Sequence, residues 1–179
     1  MDLRGQPVFM DMKAKKHFET LVESFSSELY RFCYGLCHNS AQAEDLVQET
    51  FLRAWKSFDK LREASSARAW LYTILRRENA RIYERQRPEA RDPESLPEVA
   101  VRGSDTSVEG LVLRKQLNEL KVEYREPLML QVLAGFSTEE IGVIMNISTN
   151  AVMTRLSRAR RLLRESLQQE KTQQPVGVL

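Results

Sequence analysis

In the stretch STEEIGVIMNISTNAVMTRLSRARRLLR, Ser137 to Arg164, the side chains Asn150, Met153, Thr154, Ser157 and Arg158 recur at the three- and four-residue spacing of one helix face. Asn, Thr and Arg carry donors and acceptors that fit base edges, and arginine also grips phosphate oxygens. Ser148 and Thr149 stand just before that face, where the free N–H groups of a helix start favour a phosphate. The opposite face, Val152, Leu156, Ala159 and Leu163, is apolar. The chemistry on offer is reversible binding of nucleic acid. An amphipathic surface helix whose arginines offset its own negative end would show the same pattern.

A second basic run differs in kind. Arg68, Arg76, Arg77, Arg81 and Arg85 are interleaved with Trp70, Tyr72 and Tyr83, after a loop that holds Lys60, Arg62, Ser65 and Ser66. Cations that follow a phosphate chain, beside rings on which bases stack, suit single-stranded nucleic acid. Trp70 and Tyr72 serve equally well as core residues. Upstream, AEDLVQETFLRAW puts Asp45, Gln48, Glu49 and Leu52 on or near one stripe. Carboxylates repel DNA, so this stripe either meets a protein or is a solvated face.

Nothing assembles for covalent chemistry. There is no glycine-rich phosphate loop and no nucleophile with a paired histidine, and the only histidines are His17 and His38. Cys33, Cys37 and His38 fall short of the four ligands a structural zinc site needs. Phe18, Leu21, Val22, Phe25, Leu29, Phe32, Cys33 and Leu36 form one helical stripe, so the cysteines read as packing. The expectation is a protein with no catalytic residue, metal, cofactor or small-molecule substrate.

The elements that must carry these groups are helical throughout, and the expected class is all-α. One helix spans about Lys16 to Cys37. A break at His38, Asn39 and Ser40 offers N-caps for a second, which carries Leu46, Val47, Thr50, Phe51, Ala54, Trp55 and Phe58. A third starts near Ala67 and runs to about Gln86. Pro88, Pro93, Pro97 and Gly103 mark a linker, and apolar periodicity resumes at Val108. Gly135 closes one helix, and Ser137 with Glu140 has the spacing of a capping box that opens the next, with Phe136 placed to staple onto Ile141. A break at Asn146 and a restart at Ser148 complete a helix-turn-helix. Pro127 belongs in a first helical turn, so the helix carrying Leu128 is expected to start close to it. Two small helical domains result, residues 13–87 and 108–167, with a linker at 88–107 and a disordered tail at 168–179.

Composition agrees with a folded chain: 179 residues, 42% of them hydrophobic, are enough to bury a core. The net charge of +2 argues for no partner by itself, and the information lies in how the charges are segregated. No signal-peptide run and no apolar stretch of spanning length occurs, so the expected location is the cytosol.

Taken in order, AEDLVQETFLRAW, RAWLYTILRRENARIYERQR, a proline-containing linker and YREPLMLQVLAGFSTEEIGVIMNISTNAVMTRLSRARRLLR resemble the extracytoplasmic-function (ECF) sigma factors of the sigma-70 family. The resemblance extends from about His17 to Arg164. It implies a factor that binds core RNA polymerase and directs promoter-specific initiation. The DLVQE helix would dock on the clamp of the largest subunit, which assigns Asp45, Leu46, Gln48, Glu49, Leu52 and Trp55 to core binding or its support. Lys60, Arg62, Ser65, Ser66, Arg68, Tyr72, Arg76, Arg77, Asn79 and Arg81 would recognise and open the −10 element. Ser148, Thr149, Asn150, Ala151, Met153, Thr154, Arg155 and Arg158 would read the −35 duplex, while the same domain rests on the flap of the second-largest subunit. The resemblance also implies an anti-sigma factor as partner, able to hold the chain at the inner face of the membrane. The competing reading is a stand-alone helix-turn-helix regulator, which would need neither the acidic stripe nor the aromatic-basic helix.

Overall fold

The computed structural model describes residues 12–37, 39–61, 63–85 and 108–173. Arg62, His38, the linker at 88–107 and residues 174–179 of the tail lie outside them. Among the described residues the chain is all-α, in the order α1 (Met12–Cys37), α2 (Ser40–Lys56), α3 (Ala67–Arg85), α4 (Val108–Glu119), α5 (Val122–Val132), α6 (Thr138–Met145) and α7 (Thr149–Gln173), with short 3₁₀ turns at Phe58–Lys60 and Ala64–Ser66.

The first three helices form a bundle. Asn39 caps α2, its side-chain oxygen accepting from the Gln42 N–H at 3.0 Å, and the short connection from Cys37 folds α2 back on α1. Ala43, Leu46, Thr50 and Ala54 make the buried stripe of α2. Thr50 enters it because its hydroxyl donates to the Leu46 carbonyl at 2.7 Å, so no polar group is left orphaned. The Phe18 ring of α1 meets Trp55, Phe58 and Phe51 edge-on, with centroids 4.9, 5.3 and 6.4 Å away. Cys33 is fully buried and burial pushes its thiol pKa well up, which keeps it protonated and inert.

In the second half, the middle of α5 is buried on every side: Arg125, Glu126, Pro127, Leu128, Met129 and Leu130 are all shielded in succession. It packs against α7, α6 and α1. Pro127 lies in the second turn of α5, not at its start as the sequence implied. Its ring is among the most deeply buried groups of the chain, and that packing offsets the hydrogen bond a proline cannot donate. The helix-turn-helix forms as expected. Ser137 Oγ accepts from the Glu140 N–H at 3.2 Å, and Glu140 Oε2 accepts from the Ser137 N–H at 2.8 Å. Asn146 turns left-handed at φ 54° to end α6.

Helix α7 continues to Gln173, past the expected start of the tail at Gln168. Gln, Glu and Lys are good helix formers, and no breaker intervenes before Pro175.

Gly135 closes α5 with φ 66°, and a Cβ built there would meet nothing within 4 Å. The cost of a side chain is therefore confined to the backbone. Gly135→Ala should lower stability by about 1–2 kcal/mol and Gly135→Asn by less, measured by urea unfolding. Equal losses for both would mean that crowding, not the left-handed conformation, selects the glycine.

Candidate nucleic-acid interface

Three surfaces follow from this scaffold. On α2, Asp45, Gln48 and Leu52 are exposed at helical spacing, with Leu52 55% exposed between polar neighbours. Glu49 is half-buried and its Oε1 accepts from Arg53 Nε at 2.7 Å. Trp55 is also half-buried against Phe18. Leu46 is 1% exposed and belongs to the bundle core, so it can only support this surface from behind.

On α7, Asn150, Met153, Thr154, Ser157 and Arg158 all face solvent, as the periodicity predicts. Ser148 is an exposed cap whose Oγ accepts from the Ala151 N–H at 3.2 Å. Thr149, Ala151 and Arg155 are half-buried at the edge of the face. Thr154 Oγ1 donates to the Asn150 carbonyl at 2.9 Å, and the Arg158 guanidinium sits 5.7 Å from the centre of the Tyr124 ring, which orients it. The tight turn before this helix needs Gly142, where a Cβ would stand 3.0 Å from the Ile147 carbonyl oxygen.

The basic helix α3 is divided. Lys60, Ser65, Ser66, Arg77 and Arg81 are exposed. Arg81 pairs with Glu78 at 2.8 Å, and Glu78, itself buried, lies 3.7 Å from Arg53 of α2. A chain of alternating charge, Glu49, Arg53, Glu78 and Arg81, thus joins the acidic face to the basic one. Asn79 is buried, and so is Tyr72 at 1% exposure. The Tyr72 hydroxyl donates to Glu28 Oε1 at 2.8 Å, and burial with that carboxylate pushes the phenol pKa up. Arg68 donates to the same oxygen from Nε at 2.9 Å and from Nη2 at 2.6 Å, and also to the Ala134 carbonyl. Its guanidinium lies 4.3 Å from the centre of the Phe136 ring, whose edge-to-face partner, 4.9 Å away, is Tyr72. Phe136, expected to staple its own helix, is therefore buried against α3.

Arg76 is held by Glu126 of α5, with Nε 3.0 Å from Oε1. That nitrogen makes no aligned hydrogen bond, so the attachment is mainly one of charge. Glu126 is 6% exposed. Burial raises its pKa, against the opposing pull of Arg76, Arg155 and Arg125. Sequence reasoning singled out none of Glu28, Glu78 and Glu126, and it assigned Phe136 only a local staple. Glu28 is 40 residues from Arg68, so no local spacing announces the pair. The one available signal was Glu126, a carboxylate set directly before the apolar run PLML.

Residues 21–89 match the family described as Sigma-70 region 2, and residues 111–163 match Sigma-70, region 4. The ECF RNA polymerase sigma factor SigL of Mycobacterium tuberculosis is 33% identical over 157 residues, covering 83% of this chain and 88% of that protein. The ECF RNA polymerase sigma factor EcfG of Rhodopseudomonas palustris is 33% identical over 135 residues, 74% of this chain and 75% of EcfG. Among solved structures, the sigma factor RpoE of Bartonella quintana, in complex with the anti-sigma factor NepR, is similar with a TM-score of 0.67 and 29% identity over 86% of this chain and 98% of that one.

The burial of Leu46 separates two roles that its place in the stripe leaves merged. Leu46→Ala should destabilise the fold by about 2–5 kcal/mol, the range for emptying a packed leucine site. A drop in polymerase affinity with unchanged thermal stability would instead make Leu46 a contact residue.

Proposed function

The chain belongs to the ECF sigma factors of the sigma-70 family, and it directs promoter-specific transcription; on that footing we propose how its surfaces divide the work. Residues 13–87 form the unit that binds core polymerase and opens the −10 element, and residues 108–167 the unit that reads the −35 duplex. The observation that carries this division is the separation of charge. Exposed acid on α2 fits a protein partner, and exposed donors on one face of α7 fit a major groove.

Asp45, Gln48 and Leu52 make the core-binding contact, with Glu49 and Trp55 at its edge and Leu46 beneath. Lys60, Ser65, Ser66, Arg77 and Arg81 follow the phosphate backbone at the −10 element. Arg68, Tyr72, Arg76 and Asn79 meet the separated strand once they are uncovered. Taking a base out of the stack costs a few kcal/mol, which stacking and backbone contacts return. Asn150, Met153, Thr154 and Arg158 read the −35 element, with Ser148, Thr149, Ala151 and Arg155 beside them at the helix start and edge. The factor itself is not an enzyme, since phosphodiester bonds are made by the polymerase. Among the described residues no helix is long and apolar enough to cross a membrane, and a cytoplasmic site of action follows from the partner. The likeness to RpoE supports an anti-sigma factor as its regulator.

Abortive transcription with core polymerase on a pool of native promoter fragments tests the reading. Transcripts that need the chain are expected; sequence-specific duplex binding by the chain alone, without any transcript, would favour a stand-alone regulator. Asp45→Ala with Gln48→Ala should weaken core binding by about tenfold, equivalent to about 1.4 kcal/mol, with no change in thermal midpoint. Unchanged affinity would remove the stripe from the mechanism. Asn150→Ala should relax preference at a −35 base pair by about 1–3 kcal/mol of discrimination and leave −10 opening intact. Uniform weakening over all sequences would reassign Asn150 to a phosphate.

A further inference from the structure

Asn150, Met153 and Thr154 are exposed side by side in the opening turns of α7, where the reading helix of a helix-turn-helix meets base edges. The two arginines closest to them are engaged sideways, towards α5. Arg155 is half-buried and acts on the Glu126 carboxylate, and Arg158 rests over the Tyr124 ring. From Asn150 to Ser157 the exposed side chains of this face are uncharged. The commonest readout of guanine is an arginine or lysine on its O6 and N7, and none stands at the centre of the face.

Met153 is out of place for a polar surface. It is 49% exposed, while the side chains that pack α7, Val152 and Leu156, lie on the other face at 0% and 2%. Met153 therefore adds nothing to the core. Thr154 extends its apolar character. The Thr154 Oγ1 donates to the Asn150 carbonyl at 2.9 Å, which uses the one proton of the hydroxyl. What remains for a groove is a methyl group and an oxygen that can only accept.

A thioether and a methyl group form a small apolar strip beside the Asn150 amide. Neither exchanges strong hydrogen bonds with a base edge, so what the strip can cover is apolar surface. In the major groove that surface is the 5-methyl group of thymine. Cytosine has no methyl there, and its N4 amino group would face the strip without an acceptor. The Asn150 amide matches N6 and N7 of adenine, so all three side chains select the same kind of base pair.

We propose that the centre of the −35 element read by this chain is A·T, and that Met153 with the methyl group of Thr154 reads thymine through its 5-methyl group. The proposal rests on the assignment of this face of α7 to the −35 duplex and gives that face its base preference. The Met153 side chain, open to water in the free chain, is covered when the duplex docks, and the methyl contact draws on that burial.

The test uses holoenzyme assembled from the full chain and core RNA polymerase. Selection from promoter duplexes randomised over the −35 region first finds the element, and each thymine in it is then replaced singly by deoxyuridine. This removes the methyl group and keeps every base-pair hydrogen bond. At one thymine or more the replacement should weaken binding about fourfold, the equivalent of one buried methyl group. Met153→Ala with Thr154→Ser, both at exposed positions, should bind the two duplexes alike, and Met153→Leu should keep the difference. Asn150→Ala should weaken both duplexes and retain the deoxyuridine penalty. A selected element without thymine, or a penalty that survives the double substitution, overturns the methyl contact; the second result would place the effect in the DNA itself. If deoxyuridine is silent while Asn150→Ala changes the selected sequence, the face still reads the −35 duplex and only the methyl contact is rejected. If neither Asn150→Ala nor the double substitution changes the selection, the assignment of the face to the −35 element falls.

Discussion

The middle of helix α5 has no face for water, and the arrangement of the other helices follows from that. Six successive residues, Arg125 to Leu130, are buried, so neighbours must cover this part of the helix all round. An ordinary surface helix buries a single stripe. Here α7, α6 and α1 supply the cover. Leu128 and Leu130 bring the apolar area that drives this burial, and Pro127 is carried along without its hydrogen bond. The consequence is that the two halves of the chain share one apolar cluster, from Phe18 and Leu29 through Tyr72 and Phe136 to Ile141 and Leu156.

Burying α5 also buries two of its charges, and these become the organising electrostatic feature. Glu126 carries a desolvation cost that three arginines, Arg76, Arg155 and Arg125, partly offset. Buried ion pairs of this kind contribute little net stability, because desolvation consumes most of the Coulomb attraction. What they supply is a preferred arrangement of the elements they join. Glu28 plays the corresponding part within the first bundle, where one carboxylate oxygen accepts from both Arg68 and Tyr72. Arg68, Tyr72 and Arg76 are thereby held in place by carboxylates from elements distant in sequence.

The acidic stripe of α2 is held in the opposite way. Asp45, Gln48 and Leu52 project from a helix whose inner face, Ala43, Leu46, Thr50 and Ala54, is tightly packed. The packed inner face fixes the backbone that carries the outer one, so Asp45, Gln48 and Leu52 stand on an ordered helix. The charge chain from Glu49 through Arg53 and Glu78 to Arg81 places the acidic and basic faces in direct contact across α2 and α3.

Features governed by local spacing are legible in the amino-acid sequence alone. The stripe containing Cys33, the cap at Asn39, the capping box of Ser137 and Glu140, the left-handed Gly135 and the outward face of α7 all depend on residues within a few positions of one another. Helical periodicity and terminal hydrogen bonds are local physics, so the sequence by itself determined them, and with them the helix-turn-helix and the family. Features governed by burial across the chain are not legible in this way. Nothing near Tyr72 or Arg76 announces that they lie under Phe136 and beside Glu126, and nothing near Pro127 announces that packing would carry it into a second turn. Only the tertiary structure decided these, because desolvation and ion pairing depend on which distant side chains come together, and periodicity carries no record of that.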